Sequence, residues 1–415
     1  MGRAAGVAAF AALLVASAPG QAQQPMNFTQ VFAFGTGVGA VPLNGNLLYR
    51  NQQLFGATYA GGSLNDGPNG IAGTLSDLGE VYQFIPSGPF IGTLYGFSGP
   101  DGAHPNGDLA ADAQGNLYGT TQAGGANNLG TVFKLSPPSS SRAWTLTTLH
   151  SFSGTDGANP MAGVTFGPNG MLYGTTSTAG SGPFPHGGSA YTVSPSGTRF
   201  KELPLPQGCV GSQGNVVVDP QGNVLGTTPF GPEPSDASGC LFKIAPNGTA
   251  TIVTQYGEAP QFGGVGIGQP MGNIVRDATG DVFGMATFAE RNSTPGVLGI
   301  AVYEVTAITH KLVVLGVLDG VRSQSGIVRD AAGNSYGTTT NGGAIGAGSV
   351  FAVSPNGTVT TLASLAVTNL APVAGVIVDP TGTLWGTTSA GGGFLCTTAS
   401  LVPPIGCGTI FSLTR

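Results

Sequence analysis

Charge is what this sequence has least of. Only 8% of its 415 residues are Asp, Glu, Lys or Arg, with 13 basic against 19 acidic residues and a formal net charge of -6. The basic residues stand singly along the chain, so the positive surface that could hold a phosphate backbone is absent and nucleic acid is excluded as a partner. Histidine is nearly as scarce, with 4 residues, and tryptophan has 2. No GxSxG, HExxH, Walker phosphate loop or EF-hand sequence occurs, which removes the activities that declare themselves in one local motif. Beyond the N-terminus no apolar run is long enough to span a bilayer, and no 3.6-residue periodicity marks an amphipathic helix. Low charge combined with 40% hydrophobic residues also excludes a highly charged, disordered chain.

The first residues read Met1-Gly2-Arg3, then an apolar run of Ala, Val, Phe and Leu to about Ala18, then Pro19-Gly20-Gln21-Ala22. A short positive start, an apolar stretch too short for a comfortable span and a small-residue end predict a signal peptide over 1–22, cleaved after Ala22. The expected destination is secreted, periplasmic or cell-surface, and the expected mature chain is a soluble monomer with no membrane span. An exported chain meets an oxidising compartment, so the four cysteines are expected to form two bridges. Of three connectivities, Cys209–Cys240 and Cys396–Cys407 keep each bridge inside one repeat. Metal binding by these thiols lacks both CxxC spacing and a nearby histidine.

What the sequence has in abundance is glycine, 72 residues, and repetition. The run Leu117-Tyr118-Gly119-Thr120-Thr121 returns as Leu54 to Thr58, Leu172 to Thr176, Val224 to Thr228, Val282 to Ala286, Ser335 to Thr339 and Leu384 to Thr388, each with a central glycine. A spacing of roughly 50 to 60 residues is the signature of a tandem repeat architecture. Each unit holds four runs rich in Val, Ile, Thr, Phe and Tyr between Gly, Pro, Asn and Asp, which is strand and turn chemistry. The chain opens on Phe28 to Phe34, which matches the end of a unit, and its last unit stops at Arg415 without a fourth strand. The fold class that follows is all-β: a seven-bladed β-propeller of four-stranded antiparallel blades over 27–415, its ring closed by the strand 28–34 completing the C-terminal blade.

Turns of the Asp112-Ala113-Gln114-Gly115 kind join the first and second strands, and they recur from Asp219, Asp277, Asp330 and Asp379. Their aspartates are expected to cap the turn, and the paired threonines to bond backbone. The recurring aromatics at 118, 173, 336 and 385 are expected in the core, and the repeat glycine to admit a neighbouring sheet. Long connections (60–78, 177–188, 229–239, 257–269, 390–407) gather on one face of the disc, where binding is expected. That face holds Asp101, His104, Asp156 and His186, with Asp66, Asp236, Glu290 and Arg291. Asp101, His104, Asp156 and His186 are the candidates for an acid/histidine site, since general catalysis needs such groups in a cleft. Solvated loop residues are the simpler reading. No cofactor is expected; a calcium ligand could come from this set, but no spacing supports one.

The segments Phe152-Ser153-Gly154-Thr155-Asp156-Gly157-Ala158-Asn159-Pro160, Gly170-Met171-Leu172-Tyr173-Gly174-Thr175-Thr176 and Gly130-Thr131-Val132-Phe133 resemble the GloVer (Gloeobacter/Verrucomicrobia-type) repeat of exported bacterial proteins. The likeness covers 27–415 and is strong in units two, three, six and seven. It is weaker in four and five, where Asp-Gly-Ala-x-Pro is missing and Met285-Ala286 replaces the threonine pair. The resemblance implies export and repeats, and it carries over no catalytic residue. The expected function is a non-enzymatic binding or scaffold module for an extracellular glycan or protein; the alternative is a propeller hydrolase or lyase working on the same face.

Overall fold

A computed structural model describes residues 26–34, 42, 45–61, 78–88, 90–139, 143–180, 187–231, 239–259, 265–289, 298–318, 326–344, 346–365, 371–391, 395–396 and 405–415. Seven antiparallel sheets follow one another along the chain as seven blades, with no helix among the described residues. The third blade is representative: Thr165–Phe166 pairs with Leu172–Thr176, which pairs with Ser189–Val193, which pairs with the outer strand Phe200–Pro204. The seventh takes its outer strand from the other end of the chain, because Asn27–Ala33 pairs with Thr409–Thr414, Phe28 opposite Leu413. The predicted ring closure is therefore present, and it leaves no open edge at the seam.

The repeat glycine has a different use from the one the sequence suggested. In every blade it lies directly opposite an aromatic residue on the third strand: Gly56 faces Tyr82, Gly119 Phe133, Gly174 Tyr191, Gly226 Phe242, Gly284 Tyr303, Gly337 Phe351 and Gly386 Phe411. A Cβ on any of these glycines would stand 2.4 to 2.7 Å from the facing ring. The glycine makes room for a ring of its own blade rather than for a neighbouring sheet, a cross-strand pairing that covers a bare backbone with an aromatic face.

Those rings then reach the preceding blade. The core is divided into seven clusters, one at each junction between successive blades, including the junction of the seventh with the first, where Trp385 and Ile410 pack with Leu54, Tyr82 and Phe84. The phenylalanine that ends each typical unit is a wedge in this joint. Phe34 meets Tyr82, Phe97 meets Phe133 and Phe152 meets Tyr191, all edge-on with centroids 5.2 to 5.3 Å apart. A proline at the entry to the following blade, eight positions after the phenylalanine in the typical units Phe34/Pro42, Phe97/Pro105 and Phe152/Pro160, is the second contact. Pro105, Pro160, Pro270, Pro372 and Pro42 each lie against a left-handed glycine (79, 130, 239, 348, 408) that precedes the third strand of the blade before.

The threonine pair divides its labour. Its first member reaches across the joint to a backbone carbonyl of the next blade: Thr120 to Ala162 (2.7 Å), Thr175 to Gly214 (3.2 Å) and Thr338 to Ala374 (2.8 Å). Its second member bonds the hydroxyl that opens the third strand of its own blade, as in Thr121 with Thr131 and Thr388 with Thr409, both 2.8 Å. Seated this way, these hydroxyls are satisfied and tie the innermost strands in place; the Thr58 and Thr387 hydroxyls at the same positions are buried without a partner among the described residues.

Two regions depart from the expectation. The stretch 257–269, read as a loop, contains the strand Gly257–Ala259 and the start of the long strand Val265–Arg276. The second strand of this fifth blade, Val282–Ala289, runs past the point where the others stop, and so offers the extra length a partner. In the seventh blade, Leu395–Cys396 and Ile405–Gly406 form a small two-stranded sheet inside the long connection 390–407. Cys209 and Cys240 are bridged as predicted, with Cα atoms 5.7 Å apart. Cys407 is disulfide-bonded too, while the side chain of its expected partner Cys396 lies outside the described residues, as does the whole of 1–22.

Candidate functional site

The first-to-second turns behave as structural caps. Asp112 accepts the Asn116 backbone N–H (2.9 Å), the Asn116 amide (2.6 Å) and the Tyr118 hydroxyl (2.9 Å). Asp330 does the same with Asn334 and Tyr336, and Asp379 accepts the Trp385 indole N–H at 2.9 Å. The recurring aromatic is thus pinned at its polar tip as well as packed in the core. Burial pushes the Asp112 pKa up, but the donors from Asn116, Tyr118 and the turn backbone outweigh it and hold the group below its ordinary value.

Asp101 and Asp156 occupy equivalent corners of successive blades. Asp156 accepts the Ser153 N–H (2.8 Å) and hydroxyl (3.0 Å) and the His150 Nε2–H (2.8 Å). Burial tends to raise its pKa, yet the Ser153 donors and His150 leave it below the usual carboxylate range. His150 lies flat on Phe200, centroids 3.6 Å apart, and that burial depresses its own pKa despite the neighbouring carboxylate. Asp101 accepts the Ser98 N–H and hydroxyl, both 2.9 Å, and the Tyr95 hydroxyl at 2.6 Å. His104 stacks on Tyr59 of the first blade at 4.4 Å, its Nδ1 2.9 Å from the Tyr59 carbonyl oxygen, and it takes a positive φ of 56° just before Pro105. Asp101, His104 and Asp156 are each bonded within their own corner or joint. Asp66, His186, Asp236, Glu290 and Arg291 lie outside the described residues.

The convergence occurs elsewhere. Each innermost strand enters from the long-loop face, and one repeat position at its inner end is occupied by Asn46, Asp108, Gly163, Asn215, Asn273, Gly326 and Gly375, a column around the axis. Asp108, from the second blade, accepts the Asn46 N–H (2.6 Å) and amide (3.4 Å) from the first, the Asn215 amide (2.9 Å) from the fourth and the Asn273 amide (2.8 Å) from the fifth. Bonds from opposite sides of a ring meet at one carboxylate only near its centre. The backbone there is equally tight. A Cβ on Gly163 would stand 1.9 Å from the Asp108 carbonyl oxygen, and one on Gly107, whose φ is +100°, would stand 2.2 Å from the Gly163 nitrogen. These positions require glycine.

Asp108 keeps part of its surface exposed, yet protein atoms crowd closely around its carboxyl. Burial pushes its pKa up to about 6, against the lowering effect of the bonds from Asn46, Asn273 and Asn215. Its partners are neutral amides, and no Lys, Arg or His pairs with it among the described residues. Sequence reasoning did not single out Asp108, because it belongs to no motif. The signal that could have found it is its place as the one acid in a column otherwise made of Asn and Gly.

With the repeat, the blades and their joints established, kinship can be assigned. The profile of the Gloeobacter/Verrucomicrobia repeat matches residues 69–286 and again 212–415. The chain belongs to this repeat family. No curated protein matches the sequence. Among solved structures, the Niastella koreensis GH74 enzyme is similar at 14% identity and TM-score 0.50, over 87% of this chain and 53% of that one. The Nidogen/Laminin complex gives 16% identity and TM-score 0.43 over 70% of this chain and 92% of that one. TolB from Acinetobacter baumannii gives 14% and 0.39, over 68% and 59% respectively. At 14% identity the likeness to the GH74 enzyme speaks for the fold alone.

Proposed function

We propose that this repeat-family propeller is exported and works as a non-enzymatic binding module, engaging an extracellular glycan or protein through its long-loop face and axial mouth. The observation that carries this reading is the contrast between corner and axis. The corner carboxylates are consumed in holding their own loops, while the polar side chains that four blades bring together are three amides and one acid. An amide-rich mouth offers paired donors and acceptors to hydroxyl or peptide groups, and among the described residues no nucleophile–base pair stands beside it. The Cys209–Cys240 bridge suits an oxidising compartment, and no described helix is long and apolar enough to cross a membrane.

One observation favours the second reading, a propeller hydrolase or lyase: a carboxyl whose pKa is about 6 is poised for general acid catalysis. A glycan array and a hydrolase and lyase substrate panel on the chain from Gln23 onward separate the two. Binding without turnover is the expected result; turnover that disappears in Asp108→Asn would establish the enzyme instead. N-terminal sequencing of the secreted product is expected to begin at Gln23, and retention of 1–22 would overturn the export assignment.

A further inference from the structure

We infer that the axial mouth is a hard-cation site of the calcium class, in which the Asp108 carboxylate and the side-chain oxygens of Asn46 and Asn215 are the protein ligands. The first ground is a surplus of acceptors. The side-chain oxygens of Asn46 and Asn215 are both buried and take no hydrogen bond from any described residue. Asn46 as a whole is only 9% exposed, and its amide points at Asp108. Orphaned buried oxygens of this kind are costly and rare, so two beside one carboxylate call for a positively charged or donor-rich occupant.

The second ground is charge. Asp108 is a carboxylate whose partners are all neutral N–H donors, with no Lys, Arg or His paired to it among the described residues. The third is the mobility of the amides. Asn46 and Asn215 turn their nitrogens toward Asp108, and their oxygens hold nothing. A half-turn of either amide gives up its one bond to Asp108, disturbs no bond at its oxygen, and presents that oxygen to a cation held by the carboxylate. Asn273 is different: its oxygen accepts the Asn215 backbone N–H at 2.8 Å, so its orientation is fixed.

The donor set is oxygen only, which selects a hard cation over zinc or copper, and its irregular mixture of amides and carboxylate suits calcium better than octahedral magnesium. No group of three or more His, Cys, Asp or Glu exists among the described residues; this site draws instead on amides. With a single carboxylate the affinity belongs in the weak extracellular range, about 10⁻⁴ to 10⁻³ M. The inference stands apart from the choice of glycan, protein or substrate, since calcium alone is the probe.

Titration calorimetry and thermal unfolding of chelator-treated protein against CaCl₂ at constant ionic strength test it. The expected result is saturable binding with a rising Tm, absent in Asp108→Asn and weakened at least about tenfold in Asn215→Ala. Asn215→Asp, which adds a second carboxylate, is expected to tighten binding about tenfold and serves if Asp108→Asn does not fold. No saturable binding by the wild type, undiminished binding by folded Asp108→Asn, or unchanged affinity in Asn215→Asp would overturn the site. An equal response to MgCl₂ would overturn its calcium character.

Discussion

Asp156 and Asp108 are both long-loop-face carboxylates ringed by donors, yet their pKa values move in opposite directions. The donors to Asp156 come from Ser153 and His150, three and six residues away, and they close a turn around an already half-solvated group. The donors to Asp108 come from residues 62, 107 and 165 positions away, and the same ring that brings them in shuts the group off from bulk water. Number of hydrogen bonds therefore does not decide the sign. Where the desolvation is small, aligned donors win; where the fold encloses the carboxylate, burial wins.

The largest test of this contrast strikes the axis. Gly163→Ala would drive a Cβ to 1.9 Å from the Asp108 carbonyl, backbone that cannot yield as a side chain would. The expected loss is about 3 kcal/mol or more in chemical denaturation, or failure to fold. Next comes Asp156→Ala, which strands the Ser153 N–H and His150; the expected cost is about 2 kcal/mol at pH 7. Asp108→Asn should act with the opposite sign, stabilising the calcium-free protein by about 1 kcal/mol at pH 7, because it removes an enclosed charge and its new amide finds the free oxygens of Asn46 and Asn215.

The pH dependence separates the two acids further. The folded pKa of Asp108 is about 6 against an ordinary 3.8, so the folded state holds the proton more tightly and stability is lost as the pH rises through that window. The gain in Asp108→Asn is therefore expected to fade between pH 6 and 4. Asp156 lies below its ordinary value, so its contribution is present above about pH 4 and is lost on further acidification, and the cost of Asp156→Ala should fade there. Denaturation midpoints across pH check both. The smallest effect is Gly154→Ala at the corner. Its φ is +90°, but the nearest atom to a new Cβ is Leu129 Cδ1 at 3.4 Å, so only the left-handed backbone penalty of about 1 kcal/mol is expected.

The corner was readable because its partners are neighbours in the chain. Ser153-Gly154-Thr155-Asp156-Gly157 carries its own turn, and the Asp112 to Gly115 type carries its own cap. The seven strand glycines were equally visible, but the ring each one faces was not, since that depends on register between two strands joined by connections of unequal length. The same limit explains 257–269: a turn-rich sequence became strand where the longer neighbour Val282–Ala289 offered a ladder to pair with.

By itself the sequence determined the blade: its four strands, its capped turns, the number of units and the seam strand at the N-terminus, all properties repeated locally and hence stated several times over. Only the tertiary structure decided the axis. Asn46, Asp108, Asn215 and Asn273 are unremarked residues in separate units, and closure of the ring is what places them within hydrogen-bonding distance and encloses one carboxylate among amides. A site made by closure has no local signature, because the contacts that define it exist only after the last blade has met the first.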